Sequence, residues 1–371
     1  MSDNSKKTIY FPGLNGLRAI AALGVLVVHV TQGLDYFGLN PHILGATNSG
    51  AAIGIYRIAL YSVSIFFGIS GFLITYLLLE EKSKGTINVK HFYLRRVLRI
   101  WPLYYLYMLL ALATNLAFGI PFPKEQLIFY IFLMANIPFV LEHSIPFITH
   151  YWSLGVEEQF YLFWPNWVKN VKHLFLLSFG LFLIFMFLKL FFYLSASRPI
   201  YEKLYYFLDA NRFQCMLIGA LFSVLYFNNN QLFIIFFSSI YLQLAAWLIF
   251  FLVFTNHFRF SYFLSHEIVT TATCTIIIAQ IQQKNRIINL ENKLFNFIGK
   301  ISYGIYVLHP LIALLLSKVL FFKEDKTVNY LITYFLCIGL TILFSYLSYE
   351  YYEKWFLKLK GNYTTIKSRN S

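Results

Sequence analysis

The sequence predicts an all-α protein, a polytopic transmembrane helical bundle of about ten spans with one short re-entrant or interfacial segment and both termini cytoplasmic. Three observations support this prediction. Of the 371 residues, 58% are hydrophobic and 12% are charged, which is about half the charged share of soluble proteins. The apolar residues are gathered in runs of a length suited to crossing a bilayer. Basic residues are unevenly distributed between the segments that join these runs.

Composition also excludes several classes of protein. With a mean hydropathy of +0.62, the chain has too little polar surface to coat a soluble globule and too much apolar surface to be disordered. Basic cytoplasmic loops explain the formal net charge of +14 better than a nucleic-acid partner does, and we predict no such partner. No metal site is predicted, because the cysteines have no paired spacing and the histidines lack ligand spacing.

The elements follow one another as apolar runs, each predicted to be a helix. They lie at 14–32, 52–79, 100–118, 127–141, 152–168, 174–194, 213–227, 231–254, 266–282, 298–321 and 328–353. Runs 127–141 and 152–168 are shorter than the roughly 20 residues that a span needs. One of them must be re-entrant or interfacial if the number of crossings is even. We favour 127–141, because it is the shorter and contains Pro138.

Charge places both ends of the chain on the cytoplasmic side. The N-terminus and the segment after the last run are basic, whereas the first outer loop, 33–55, has no Lys or Arg. Basic residues accumulate in cytoplasmic loops, so this asymmetry favours that orientation. Residues 1–357 are predicted to form one membrane domain, and 358–371 a short basic cytoplasmic tail. Cleavage of a secretory signal is not expected, because Arg18 stands early in the first run and no small-residue site follows the run.

Two ionisable residues lie within the first run. Arg18 and His29 are eleven residues apart, so on a helix they share one face and lie about 16 Å apart along the axis. Arg18 would lie at the cytoplasmic end and His29 deep in the membrane. An ionisable side chain inside a span is costly and is therefore a functional candidate. A snorkelling arginine and a hydrogen-bonded core histidine are the structural alternatives.

A basic cluster of Arg95, Arg96 and Arg99 opens the third run. Guanidinium groups form bidentate, charge-assisted hydrogen bonds with phosphates. The cluster is therefore a candidate for binding a phosphorylated ligand. It is expected to lie at the same cytoplasmic level of the membrane as Arg18. Ordinary anchoring by positive charge on the inner side is the alternative explanation.

The segment HYWSLGVEEQFYLFWP concentrates polar groups at the start of an apolar helix. Its adjacent carboxylates, Glu157 and Glu158, are hard to explain as structural features there, and either could orient an imidazole or accept a sugar hydroxyl. Ser153 faces the same way as Glu157, since the two are four residues apart. Trp152 and Tyr161 are candidates for shaping the site, although an interfacial aromatic belt would also explain them.

Two further polar residues lie in apolar runs. His309, in KISYGIYVLHP, would lie in mid-membrane, where a functional role and packing ahead of Pro310 explain it equally well. Ser70 stands in FFGISGFLIT, a small-residue segment. Close helix packing is the first interpretation of that segment, and a substrate contact is the second.

Together these segments resemble the acyltransferase family 3, which comprises integral-membrane acyltransferases that modify bacterial surface polysaccharides. The resemblance covers nearly the whole chain and rests on GLNGLRAIAALGVLVVH, FFGISGFLIT, RRVLRIWPLYY, HYWSLGVEEQFYLFWP, NRFQCMLIGAL and ISYGIYVLHP. It implies a cytoplasmic acyl-CoA donor and an acceptor sugar on, or reached from, the outer side. The chain departs from the family's usual ending, since Glu353 and Lys354 are followed by Trp355 instead of proline.

The resemblance also implies roles for particular residues. Arg18 and His29 match the essential pair of the family. The arginine cluster of Arg95, Arg96 and Arg99 matches its basic loop motif. Glu157 and its neighbours match the block that is thought to help form the site.

These observations lead to a functional hypothesis. We predict an enzyme that moves an acyl group, expected to be acetyl, from cytoplasmic acyl-CoA to a hydroxyl of a cell-surface or exported glycan or glycolipid. Acetyl-CoA would be a co-substrate, no cofactor would be tightly bound, and the location would be the bacterial inner membrane. His29 would act as general base or acyl carrier, aided by Glu157 or Glu158. The alternative is a polysaccharide or lipid transporter or flippase without acyl chemistry. The oligomeric state is left open.

Overall fold

The computed structural model describes residues 8–41, 50–85, 87–195, 198–258, 260–261, 263–364 and 366–368. These residues fold mostly into helices, as the sequence predicts. The helices are α1 (Leu14–Gln32), α2 (Gly50–Ser83), α3 (Val89–Ala117), α4 (Leu127–Ile131), α5 (Asn136–Val140), α6 (Trp152–Asn170), α7 (Leu174–Leu194), α8 (Pro199–Asn211), α9 (Phe213–Phe227), α10 (Gln231–Phe237), α11 (Ile240–Phe254), α12 (Ser265–Gln282), α13 (Lys293–Lys300), α14 (Ser302–Ser317), α15 (Thr327–Ser348) and α16 (Lys354–Lys360). A π-helical turn, Tyr349–Glu353, joins α15 to α16.

Six segments of the described chain are long and apolar enough to cross a membrane, fewer than the roughly ten spans predicted. They are Leu14–Gln32, Ile55–Ser83, Val89–Ala117, Leu174–Leu194, Pro199–Phe227 and Thr327–Tyr363. Two further pairs, α10 with α11 and α13 with α14, bend by 51° and 65° and raise the number to eight if each pair is one span. Helices of this number, length and composition are those of an integral membrane protein.

The other predicted spans differ from these segments in polarity or in length. Glu157 and Glu158 lie in α6, and His266 and Glu267 lie in α12, so neither helix is apolar enough to count as a candidate span. The side chains of His266 and Glu267 are each only 5% exposed, because neighbouring helices cover them. The run 127–141 forms α4 and α5, of five residues each. At about 1.5 Å of rise per residue, neither of these short helices reaches across a bilayer.

Glycine residues bring the backbones of α2 and α9 into direct contact. A Cβ atom built on Gly71 would lie 2.0 Å from the carbonyl oxygen of Met216, and one built on Gly219 would lie 2.3 Å from that of Gly68. Such distances leave no room for any side chain. The prediction that FFGISGFLIT serves close helix packing is therefore confirmed. Because Ser70 is next to Gly71, its backbone position is constrained by this close contact.

Replacing Gly71 with valine is expected to destabilise the protein by about 3 kcal/mol or more, because overpacking against backbone cannot be relieved by a rotamer change. The midpoint of thermal unfolding in detergent should fall accordingly. Gly180→Val is the matched control, since nothing lies within 4 Å of the corresponding Cβ position. An equal midpoint for both variants would contradict the packing argument.

A buried ion-pair network joins α7, α8 and α12. Lys189 is 1% exposed, and its Nζ lies 3.1 Å from Asp209 Oδ1 and 3.1 Å from Glu267 Oε1. It also donates to the carbonyl oxygen of Phe263 at 2.7 Å. Gln214 Nε2 donates to Glu267 Oε1 at 3.0 Å. The network compensates the cost of burying a charge inside an apolar helix.

Both ends of the described chain lie on the same side of the bundle. The two-residue strands Thr8–Ile9 (β1) and Lys367–Ser368 (β2) pair in parallel. Arg95 Nη1, near the start of α3, donates to the carbonyl oxygen of Tyr363 at 2.9 Å.

Candidate functional site

A cavity of about 110 Å³ is lined by three of the four arginines that the sequence singles out. It lies between α1, α2, α3, α6 and α14, and we call it the arginine cavity. Its polar lining includes Arg18, Ser70, Arg96, Arg99, Ser153, Glu157, Tyr161, Tyr303 and Tyr306. Residues from four separate predicted segments are thus brought to one place.

Positive charge dominates the arginine cavity. Three guanidinium groups, those of Arg18, Arg96 and Arg99, face one carboxylate, that of Glu157. Within the described residues, neither Arg96 nor Arg99 takes part in a salt bridge. Arg96 Nε is also buried without a hydrogen-bond partner there. A cluster of arginines that exceeds its counter-charge is suited to an anionic ligand.

Glu157 is held among the arginines and not beside an imidazole. Its Oε1 accepts a hydrogen bond from Ser70 Oγ at 2.8 Å, and its Oε2 accepts one from the Tyr161 hydroxyl at 3.3 Å. Glu158, the other predicted carboxylate, does not line the cavity. Glu158 extends from another side of α6, where its Oε2 accepts a hydrogen bond from Trp101 Nε1 at 3.4 Å. Adjacent residues on a helix point about 100° apart, which separates the two carboxylates.

Arg95, which the sequence groups with the phosphate-binding candidates, lies outside the arginine cavity. Its Nη2 forms an ion pair with Glu81 Oε1 at 2.6 Å, and both side chains are under 10% exposed. Together with its bond to Tyr363, this pairing gives Arg95 a structural role between α2, α3 and the C-terminal segment. The predicted arginine cluster is therefore divided: Arg96 and Arg99 line the arginine cavity, whereas Arg95 forms a structural ion pair.

A second, larger cavity of about 650 Å³ contains the histidines. We call it the histidine cavity, and its lining includes His29 from α1, His309 from α14, Trp152 from α6 and His150 from the turn before α6. His150 was not predicted as a site residue. It opens the HYWSLG segment, so its position in the motif was the available signal, whereas its contact with His309, at 5.3 Å between ring centroids, depends on the fold.

The imidazoles of His29 and His309 are hydrogen-bonded, with His29 Nδ1 2.6 Å from His309 Nε2. His309 Nδ1 lies 3.1 Å from the carbonyl oxygen of Ile305, which can only accept, so Nδ1 of His309 carries the proton. Neutral His309 therefore accepts at Nε2, and His29 donates from Nδ1. This assignment, made from the hydrogen-bond network, leaves a lone pair on His29 Nε2. His29 is half-buried and lines the cavity.

The arginine and histidine cavities meet at Val63 and Tyr306, which line both. The Tyr306 hydroxyl donates to the carbonyl oxygen of His150 at 2.8 Å and lies 2.6 Å from Ser153 Oγ. Tyr306 was not predicted as a site residue, since an aromatic in an apolar run is not distinctive. Arg18 and His29, on one face of α1, thus contribute to two adjoining cavities. Among the residues that the structure describes, no cluster of His, Cys, Asp or Glu could hold a metal ion.

Comparison with known proteins places these features in context. The profile of a family described as an acyltransferase domain matches residues 11–350. The chain is 30% identical over 379 residues to the provisionally named O-acetyltransferase SACOL0978 of Staphylococcus aureus, covering 95% of this chain and 58% of that protein. It is 28% identical over 340 residues to the peptidoglycan O-acetyltransferase OatA of Listeria monocytogenes, covering 84% of this chain and 50% of that protein.

A third relative is the O-acetyltransferase OatA of Staphylococcus aureus, which is 26% identical over 381 residues. The match covers 93% of this chain and 57% of that protein. The chain thus spans between 50% and 58% of the length of these curated relatives. No solved structure matches it.

Proposed function

Because this chain belongs to the acyltransferase domain family, whose profile matches residues 11–350, we propose that it transfers an acetyl group from acetyl-CoA to a hydroxyl of a cell-surface glycan. One observation carries the proposal. A cavity rich in arginine adjoins a cavity rich in histidine, and Val63 and Tyr306 line both. An anionic donor and a neutral hydroxyl acceptor require two such environments side by side, and we propose that a passage at Tyr306 joins them.

The donor is assigned to the arginine cavity, which we propose opens toward the cytoplasm. Phosphates of coenzyme A would be bound by Arg18, Arg96 and Arg99, and hydrogen bonds to charged groups are worth about 1.5–3 kcal/mol each. A volume of about 110 Å³ admits a phosphate group or the narrow pantetheine arm, not the whole coenzyme. The arm is comparable in length to the offset of about 16 Å between Arg18 and His29. Its thioester would therefore reach the passage at Tyr306.

His29 supplies the chemistry in this proposal. Its Nε2 takes the proton from the acceptor hydroxyl, and the oxygen forms a bond to the thioester carbonyl carbon. The carbon–sulfur bond then breaks, and the departing thiolate receives the proton from His29. A covalent acyl-histidine is the second route and uses the same nitrogen. Glu157, held by Ser70 and Tyr161, belongs to the donor end, whereas His309 orients the base.

The acceptor is assigned to the histidine cavity on the opposite side of the passage. The names of the three relatives support an O-acetyl product, and one of these names specifies peptidoglycan. We therefore propose peptidoglycan or a related cell-surface glycan as acceptor, and the bacterial cytoplasmic membrane as location. The six to eight candidate spans are compatible with that location.

Transfer of label tests the proposal. Membranes containing the chain are incubated with isolated peptidoglycan and acetyl-CoA labelled with ¹⁴C in the acetyl group and ³H in the coenzyme. We expect ¹⁴C alone to enter the glycan, and the purified chain to be stabilised against heat by coenzyme A. Absence of both effects would favour the transporter that the sequence leaves as an alternative. Entry of both isotopes into the glycan fraction would contradict acyl transfer.

A further inference from the structure

A third cavity, of about 560 Å³, is lined by aromatic residues that the proposed reaction does not use. We call it the tyrosine cavity. We propose that it binds sugar units flanking the one that is acetylated, and so forms a second subsite for the acceptor glycan. This inference rests on the proposed function. Its aromatic members are Tyr56, Tyr61, Tyr193, Tyr205, Tyr206, Phe258 and Phe260.

The aromatic lining matches the surface of a sugar ring. Pyranose rings present apolar C–H faces, which stack on aromatic side chains, and hydroxyls, which need polar partners. Tyr206 and Phe260 are 55% and 66% exposed, so their rings are free to stack on a ligand. No hydroxyl of the cavity's tyrosines forms a hydrogen bond within the described part of the chain. Aromatic residues that form an interfacial belt face the lipid from the outer surface of the protein. The aromatic residues of the tyrosine cavity instead surround a concavity.

A carboxylate and an imidazole lie together in the same cavity. Asp209 Oδ2 and His266 Nε2 are 3.9 Å apart, too far for a direct hydrogen bond. The other ring nitrogen of His266, Nδ1, lies 2.9 Å from Ser64 Oγ, so the ring is held with Nε2 toward Asp209. A carboxylate oxygen accepts a hydrogen bond from a hydroxyl, and an imidazole nitrogen can bond to the next hydroxyl. This polar pair suits the adjacent hydroxyls of a sugar and does not suit a lipid acyl chain.

Buried charges hold this polar pair in place. Lys189 Nζ lies 3.1 Å from the other carboxylate oxygen of Asp209, which leaves Oδ2 toward His266. Arg212 Nε donates to the carbonyl oxygen of Asp209 at 2.8 Å, and its Nη1 donates to that of Leu60 at 2.9 Å. Its guanidinium lies 5.2 Å from the ring centroid of Trp152 in the histidine cavity. Arg212 therefore fixes the wall between the two cavities.

The tyrosine cavity adjoins the histidine cavity, because Tyr56 and Leu60 line both. Tyr206 and Phe260 line the tyrosine cavity and not the histidine cavity, so a single sugar at His29 would not contact them. A glycan of several units would occupy both cavities at once. Affinity should therefore rise with the length of the acceptor, and the increase should depend on the exposed rings.

The test uses the full chain in detergent and two soluble probes, the N-acetylglucosamine hexamer chitohexaose and the dimer chitobiose, in calorimetric titrations. We expect the hexamer to bind about tenfold more tightly than the dimer, a difference of about 1.4 kcal/mol, because only the hexamer reaches the two exposed rings. Tyr206→Ala/Phe260→Ala should lose this length advantage. The control, Tyr241→Ala/Phe251→Ala, removes two rings that are 81% and 63% exposed and do not line the cavity, and it should retain the advantage.

Folding of each variant is checked by its midpoint of thermal unfolding in detergent without ligand. Ser261→Trp, which fills the cavity without removing a ring, should also abolish the length advantage. Equal affinities for both probes in the wild type would overturn the inference, as would an equal loss in the control. Displacement of bound phosphatidylglycerol without any binding of chitohexaose would assign the cavity to lipid. Because binding is measured without turnover, this result is independent of whether acetyl transfer is found.

Discussion

Replacing His29 with alanine is expected to lower acetyl transfer about 10²–10⁴-fold, the usual contribution of a general base. His29 is the half-buried imidazole that lines the histidine cavity with an available lone pair on Nε2. Coenzyme A should still stabilise the variant, because the donor is assigned to the arginine cavity. The measurements are the initial rate at saturating acetyl-CoA and the thermal shift. An unchanged rate would exclude both the base and the acyl-carrier mechanism.

Variants of His309 distinguish orientation of the base from simple packing. His309→Gln keeps an oxygen that can accept from His29 Nδ1, and should retain most of the rate. His309→Ala removes the acceptor and should lower kcat about 10–100-fold with little change in KM. His257→Ala, at an exposed histidine outside the cavity, is the control and should leave the rate unchanged. Equal losses in the glutamine and alanine variants would indicate a packing role instead.

Much of the fold follows from the sequence because burial in lipid requires long apolar segments. The run 14–32 coincides with α1 and the run 174–194 with α7, residue for residue. The number of spans was less predictable. The bent pair of α10 and α11 lies within one continuous apolar run, 231–254, which shows no sign of the bend. The polar side chains of α12 are covered by neighbouring helices, so this helix lacks the apolar composition of a span. Hydropathy reports composition, and it does not report which other helix satisfies a buried polar group.

The candidate site shows the same division between local and tertiary information. Helix periodicity predicted that Arg18 and His29 share a face, and each lines one of two adjoining cavities. Spacing could not show that His309 is the partner of His29, since 280 residues separate them. Spacing also could not show that Arg95 and Arg99 have different partners. These two are four residues apart and point in similar directions, and only the position of Glu81 on α2 distinguishes them.

That distinction leads to a prediction with a built-in control. Arg99→Gln is expected to raise the KM for acetyl-CoA about 10–100-fold, because hydrogen bonds to charged groups contribute about 1.5–3 kcal/mol and 1.4 kcal/mol is a factor of ten. Arg99 lines the arginine cavity and has no ion-pair partner among the described residues. The affinity for coenzyme A should fall in parallel, while kcat at saturating donor changes little, since His29 is untouched.

Arg95→Gln removes the same charge from the same helix, but it acts on a different interaction. It breaks the ion pair with Glu81 and leaves that carboxylate, 8% exposed, without its partner. Removing one member of a buried pair costs about 3–5 kcal/mol, so the midpoint of thermal unfolding should fall while the KM for acetyl-CoA stays at the wild-type value. If instead the KM rises equally in both variants, the arginines act as a diffuse positive surface. The assignment of the donor to the arginine cavity would then be wrong.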